Sequence, residues 1–193
     1  MNNLTFEDEI SYENFKDEDY SNLNLKSKTI DKVTFENCNF TSSKYDNTLF
    51  DNVTFTNCDF SNSYFTDCSF RDSSFINCKL LGVNLMNNHL TKVNVNNCKC
   101  RYINIVDAKT KELSLIESDF TESTFYNVIF QKEKIDNIIL TKAEFINTSL
   151  NKVNLSNSNI SGIKVNPEYI KGVKINSLQA IELINLLEVE IVD

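Results

Sequence analysis

Apolar side chains return on every fifth residue of this chain. Between Val33 and Phe75 the runs VTFENCNF, VTFTNCDF and YFTDCSF place Phe35, Phe40, Tyr45, Phe50, Phe55, Phe60, Phe65, Phe70 and Phe75 five apart. The register holds from Phe15 to Ile175, and of its 33 positions only Thr110 is not apolar. With apolar residues at 41% of the chain, chance does not produce such a run. A helix repeats its faces every 3.6 residues and a strand every two. Five fits neither. A chain that points each fifth side chain inward must turn a corner every five residues. Four corners close a square, so about twenty residues make one coil, and coils stack by backbone pairing at about 4.8 Å. The pattern therefore predicts a repeat protein wound as a four-sided tube.

The residue two before each apolar centre must also point inward, where there is little room. That slot reads Val33, Cys38, Ser43, Thr48, Val53, Cys58, Ser63, Cys68, Ser73, Cys78 and Val83. The other three positions of each five are mostly Asn, Asp, Thr, Ser or Lys and face water. Residues twenty apart share a column. Aromatics stack in the early coils and smaller residues follow in the middle. Asn37, Asn57, Asn77 and Asn97 form an outer column suited to corners and side-chain ladders. Glu13, Glu18 and Lys28 occupy the small slot, so the first coil is irregular or these side chains point out. Thr110, Ile103 and Leu113 fall together and mark the expected place for a bulge, bend or altered coil.

This small–polar–Phe/Leu–polar–polar unit resembles the pentapeptide-repeat family from about Phe15 to Ile175. The resemblance implies an all-β fold: a right-handed, quadrilateral parallel β-helix of about eight coils, capped by a C-terminal α-helix. Residues 1–14 then form a lead-in, 15–176 the β-helix, and 177–193 a capping and dimerising helix with a short strand at Val189 and Ile191. Ser177 is the expected N-cap of a helix over about 178–188. Gln179, Glu182 and Asn185 make a narrow polar stripe on it, and the wide apolar remainder can cover the last coil and meet a second chain. The expected dimer contacts are Leu178, Ile181, Ile184 and Leu187.

Composition removes several function classes. No apolar run approaches the roughly 18 residues of a membrane span. The acidic start MNNLTFEDEI lacks the features of a signal peptide, so the cytoplasm is the expected location. Five of the six cysteines lie in the inward slot and Cys100 is central, which makes them packing groups rather than bridges. No CxxC pair occurs, and neither a metal nor a cofactor is expected. His89 is the only histidine and lies in an outward slot beside no nucleophile. There is no phosphate-binding Gly loop and no paired nucleophile and base, so no catalytic residue is expected and the chain does not read as an enzyme. Net charge is −8. Residues 1–20 hold seven acids and one lysine, residues 21–110 ten bases and eight acids, and residues 111–193 eight bases and twelve acids. Such a balance predicts no direct nucleic-acid binding through a basic groove.

Two outer features invite partners. Asp46, Asp51, Asp67 and Asp72 cluster over neighbouring coils, and Met86, Val106, Tyr126 and Ile146 form an apolar stripe in a slot that is otherwise polar. The layout, with the tail GIKVNPEYIKGVKINSLQAIELINLL, resembles the Qnr/Mfp-type quinolone-resistance branch of the family. That resemblance implies tail-to-tail dimers that mimic duplex DNA, bind gyrase or topoisomerase IV, and inhibit these enzymes or protect them from quinolones. The five-residue phase never breaks, which points to a loopless, inhibitor-like mimic. In such a dimer Glu112, Glu117, Asp119, Glu122, Asp136 and Glu144 gather near the centre. The rival readings are a general protein-interaction rod and an immunity protein, neither acting on a topoisomerase.

Overall fold

The computed structural model describes residues 8–184 and 186. The chain winds into an all-parallel β-solenoid of about eight coils with a single C-terminal helix. Three of the four walls are sheets of strands three residues long, except for a final strand of two. The first wall has six strands, from Glu9–Ser11 to Lys109–Lys111. The second has seven, from Asn14–Lys16 to Lys134–Asp136, and the fourth has eight, from Asn24–Lys26 to Lys164–Val165. On the third wall, single bridges such as Asp19↔Asn39 and Asp59↔Lys79 join the coils. Every register is an offset of twenty, as in Phe50↔Phe70 and Phe55↔Phe75. Like residues therefore stack on like.

The corner explains the period. Two residues after each centre the backbone takes positive φ, at every fifth position from Tyr12 to Lys152, with Gly82 in the series. Only Gly adopts this region freely, while Asn and Asp tolerate it better than other residues. Hence the outer columns are rich in Asn47, Asn52, Asn57, Asn62, Asp67 and Asp72. After the third wall the corner closes as a β-turn, with Ser43 N–H donating to Phe40 O at 3.2 Å and Ser63 N–H to Phe60 O at 3.0 Å. A positive φ at the third residue, here Ser42 and Asn62, is what a type II turn needs.

The inward slot is selected for chemistry as well as size. Its side chains donate to the carbonyl of the central residue one coil earlier. Ser63 Oγ reaches Phe40 O at 2.7 Å, Cys58 Sγ reaches Phe35 O at 3.5 Å, and Asn88 Nδ2 reaches Phe65 O at 2.9 Å. A buried carbonyl without a partner is costly, so Ser, Cys, Thr and Asn recur there beside Val. All six cysteines are free and buried, and burial pushes the thiols of Cys38 and Cys68 up to about 11. All six pack the inner columns, and Cys38, Cys58, Cys68, Cys78 and Cys98 also donate to backbone carbonyls. Glu13 and Glu18 lie exposed in the first coil, while Lys28 is largely covered and meets Asp8 at 3.0 Å.

Ring geometry follows from the winding. Along a column the rings stack, Phe40 on Phe60 at 4.6 Å and Tyr45 on Phe65 at 4.5 Å. Between adjacent walls they meet edge to face, Phe35 and Phe40 at 5.2 Å and 82°. Both arrangements suit the aromatic quadrupole, at about 0.5–1.5 kcal/mol per pair beyond area burial. Beyond Phe75 the centres shrink to Leu80, Leu85, Leu90 and Val95, and the rings resume at Phe120. The interval holds a cavity of ≈ 50 Å³ with a wholly apolar lining that includes Phe70, Leu90, Val95 and Leu115. Such a space stays dry.

The expected irregularity lies one coil later than the sequence suggests. Strand Lys109–Lys111 pairs regularly with His89–Thr91, and Thr110 is buried with Oγ1 donating to Ile129 O at 3.3 Å. The first wall's sheet ends there, and the next coil is joined by the isolated bridge Lys109↔Ile129 and by Glu112 N–H donating to Gln131 O at 2.7 Å. Glu133, three residues after Phe130, is the anomaly of a nearby inward column. It occupies the slot held by Val93, Leu113 and Val153 in neighbouring coils, and its buried Oε2 has no hydrogen-bond partner. The flanking centres Phe130 and Ile135 are only partly buried.

The helix α1 (Ser177–Ile184) closes the tube. Its start differs from expectation. Asn176, not Ser177, is the cap: Asn176 Oδ1 accepts from Gln179 N–H at 3.0 Å, and Gln179 Oε1 accepts from Asn176 N–H at 2.9 Å. This is a reciprocal capping box. Gln179 does not belong to a solvated stripe. It is 6% exposed, and its Nε2 donates to Leu155 O at 2.8 Å and Ser158 O at 2.6 Å, carbonyls of the last complete coil. The amide thus serves the helix and the sheet end together. Leu187 and the expected strand at Val189 and Ile191 lie outside the described residues.

Three substitutions test this account by thermal melting. Glu133→Val removes an unpartnered carboxylate oxygen from an apolar column and raises stability by about 1–3 kcal/mol. Tyr45→Phe removes a buried hydroxyl that has no partner and is neutral or stabilising by up to about 1 kcal/mol. Gln179→Ala removes the donor to Ser158 O, one of the two donors to Leu155 O and the side-chain half of the capping box, and costs about 1–3 kcal/mol, with amide exchange rising first in the last coil.

Candidate binding surfaces

The acids singled out above divide over all four sides. Asp46 and Glu144 lie on the fourth wall, Asp51 on the first, Asp136 on the second and Asp119 on the third. Asp67, Asp72, Glu112, Glu117 and Glu122 occupy corner positions with positive φ. The sets are not gathered into one band on the single chain. Several are already engaged. Lys26 holds Asp46 at 2.8 Å, Lys92 holds Asp72 at 3.5 Å, and Lys164 holds Glu144 at 2.6 Å. Asn87 donates to Asp67, and Asn157 donates to Asp136 at 3.1 Å. Six of the eight ion pairs among the described residues join side chains twenty apart. These pairs link coil to coil across an exposed, solvent-screened surface, where each contributes little.

Asp119 has a structural task that sequence reasoning missed. Its Oδ1 accepts from Thr121 N–H at 2.9 Å, and Asp19, Asn39, Asp59 and Asn159 do the same for Ser21, Thr41, Ser61 and Ser161. Each is an Asx-turn at the third-wall corner. The Ser21 amide holds the Asp19 carboxyl below the usual carboxylate range. The spacing Asp/Asn–x–Ser/Thr in DYS, NFT, DFS, DFT and NIS was the available signal.

The apolar stripe is contiguous. Met86 pairs with Val106, Val106 with Tyr126, and Tyr126 with Ile146 on successive rungs of the fourth wall. Met86 is 52% exposed, Tyr126 and Ile146 are also exposed, and Val106 is half-buried. Beside the stripe Asn104 Nδ2 donates to Asn84 Oδ1 at 3.1 Å, which fixes a flat amide border. Ile76 and Ile116 do not touch in register, since Asn96 lies between them.

At the capped end, Leu178 is 76% and Ile181 54% exposed, Ile184 is half-buried, and Leu183 faces the coil. Two of the expected dimer residues therefore project away from the tube. Among the described residues no group of three or more His, Cys, Asp or Glu is placed to hold a metal, and no helix is long and apolar enough to cross a membrane.

No curated protein matches the sequence. Among solved structures, a trypsin-treated form of QnrB1, a plasmid-mediated fluoroquinolone resistance protein, is similar at 17% identity, covering 99% of this chain and 93% of that one, with a TM-score of 0.42. HetL, involved in heterocyst differentiation regulation in the cyanobacterium Nostoc sp. strain PCC 7120, is similar at 11% identity, covering 85% and 88%, with a TM-score of 0.33. Rfr23 from the cyanobacterium Cyanothece 51142 is similar at 12% identity over 84% of each chain, with a TM-score of 0.25. Residues 48–119 match the model of the pentapeptide repeat region, and residues 135–164 match that of pentapeptide repeats in eight copies. Those two segments make up more than half of the 193 residues, and with the twenty-residue coil they establish that the chain belongs to the pentapeptide-repeat family.

Proposed function

We propose that this chain is a non-catalytic binding rod that presents a preformed surface to another macromolecule. The in-register stripe of Met86, Val106, Tyr126 and Ile146 carries the reading. The outer faces of these four apolar side chains meet water in the isolated rod. A partner that covers them gains about 25 cal/mol for each Å² of apolar surface buried. The wall is a preformed ladder of paired strands, so little ordering cost falls on this side of the contact.

The finer reading is a topoisomerase-binding rod. Its support is the net charge of −8, the resemblance of the repeats and tail to the Qnr/Mfp-type branch, and the outward Leu178 and Ile181. In that reading α1 joins two copies end to end, and the acids of the paired rods oppose the basic groove that normally grips DNA.

Two measurements separate the readings. Purified gyrase is assayed for supercoiling with and without a quinolone; inhibition or protection at micromolar protein supports the topoisomerase reading, and no effect in either assay removes it. Binding to gyrase is then followed across salt. A charge-based contact weakens steeply as salt rises, whereas an apolar contact persists and is lost in Tyr126→Asp. The joint between copies is tested separately. Leu178→Asp with Ile181→Asp converts dimers to monomers on gel filtration, and an unchanged elution volume refutes a helix-mediated dimer.

A further inference from the structure

Linear charge counts hide how folding sorts the lysines. Lys92, Lys109, Lys111, Lys132, Lys152 and Lys171 are separated by up to 79 positions in sequence, yet all six lie on the first wall or its following corner, and all are exposed. They occupy five consecutive coils, a ridge about 19 Å long at 4.8 Å per rung. Elsewhere lysines such as Lys16, Lys26, Lys79 and Lys164 pair with an acid one coil away. On the ridge only Lys92 has an ion pair among the described residues, with Asp72 at 3.5 Å. Glu112 and Glu168 are the other acids on this part of the wall, leaving the ridge positive on a chain of net charge −8. Among the described residues the other five have no ion-pair partner, and repulsion among unpaired cations costs stability.

We propose that this ridge is a docking surface for the phosphate backbone of duplex nucleic acid. Two observations favour that partner over an acidic protein segment. The ridge is straight and carries charge on every rung, as a linear polyanion requires. Among the described residues the ridge carries no row of exposed aromatic rings on which unpaired bases could stack, so the backbone of a duplex is the part it can meet. The acids of the other walls lie around the corner or across the tube. Over a screening length of about 8 Å at physiological salt, the local lysines dominate the ridge. The inference goes beyond the binding-rod reading, uses a different wall, and stands if the stripe binds nothing.

The test is fluorescence anisotropy of a labelled 20-base-pair DNA duplex with the full chain, from 25 to 200 mM NaCl. Saturable binding is expected at 25 mM, with log K falling against log salt at a slope of about −3 to −4. The triple variant Lys109→Gln, Lys111→Gln, Lys132→Gln weakens binding at least tenfold and flattens the slope by about 0.9 for each lysine removed. The control triple Lys16→Gln, Lys26→Gln, Lys79→Gln, on other walls, leaves it unchanged. Circular dichroism of both variants confirms that each is folded. Absence of saturable binding at 25 mM, or equal loss in the two triples, overturns the proposal. Displacement of the duplex by polyglutamate at lower charge concentration assigns the ridge to an acidic protein and overturns it too.

Discussion

Everything in this molecule depends on backbone pairing between identical positions of successive coils. Parallel, in-register stacking fixes the rise at the strand spacing, and a residue's neighbours in space are those twenty before and twenty after it. The consequence runs through every layer. Ring planes stack because columns repeat, slot donors find the carbonyl of the previous coil, and exposed Lys–Asp pairs form at the same offset. Stability is accordingly one-dimensional, each coil leaning on the two beside it.

The tube was legible because one period dominates the sequence. Centres such as Phe55, Phe60, Phe65 and Phe70 can be hidden together only on four successive walls, and all four are buried. Details set by hydrogen bonding were less visible. The slot reads as merely small until the carbonyl that Ser63 or Cys58 serves is seen. Asn176 and Gln179 spell a capping box, but an amphipathic count assigns the glutamine to water because it sees only the helix and not the open coil beneath it. Thr110 attracted attention as the one polar centre, yet a threonine can satisfy itself on a neighbouring carbonyl, whereas the slot carboxylate of Glu133 cannot.

Charge shows the same contrast between sequence and space. Windows along the chain are nearly balanced through the middle, because bases and acids alternate within a few residues. Winding at twenty residues per coil separates them by position within the turn, so one wall gathers lysines while corner and turn positions elsewhere hold carboxylates that bind backbone amides and asparagines. The acid set is largely a set of structural ligands. Among the described residues the apolar stripe, the lysine ridge apart from Lys92 and the outer face of α1 have few internal duties, and stripe and ridge lie on different walls.

The regular left-handed corner also constrains how such a gene can change length. Losing or gaining one residue within the coils rotates every later side chain off its wall, turning centres outward and outer columns inward. Five residues restore the inside–outside phase but advance the chain by one wall, so each column acquires a foreign upper half. A whole turn preserves everything, and duplication of one complete turn adds a new storey beneath the same roof.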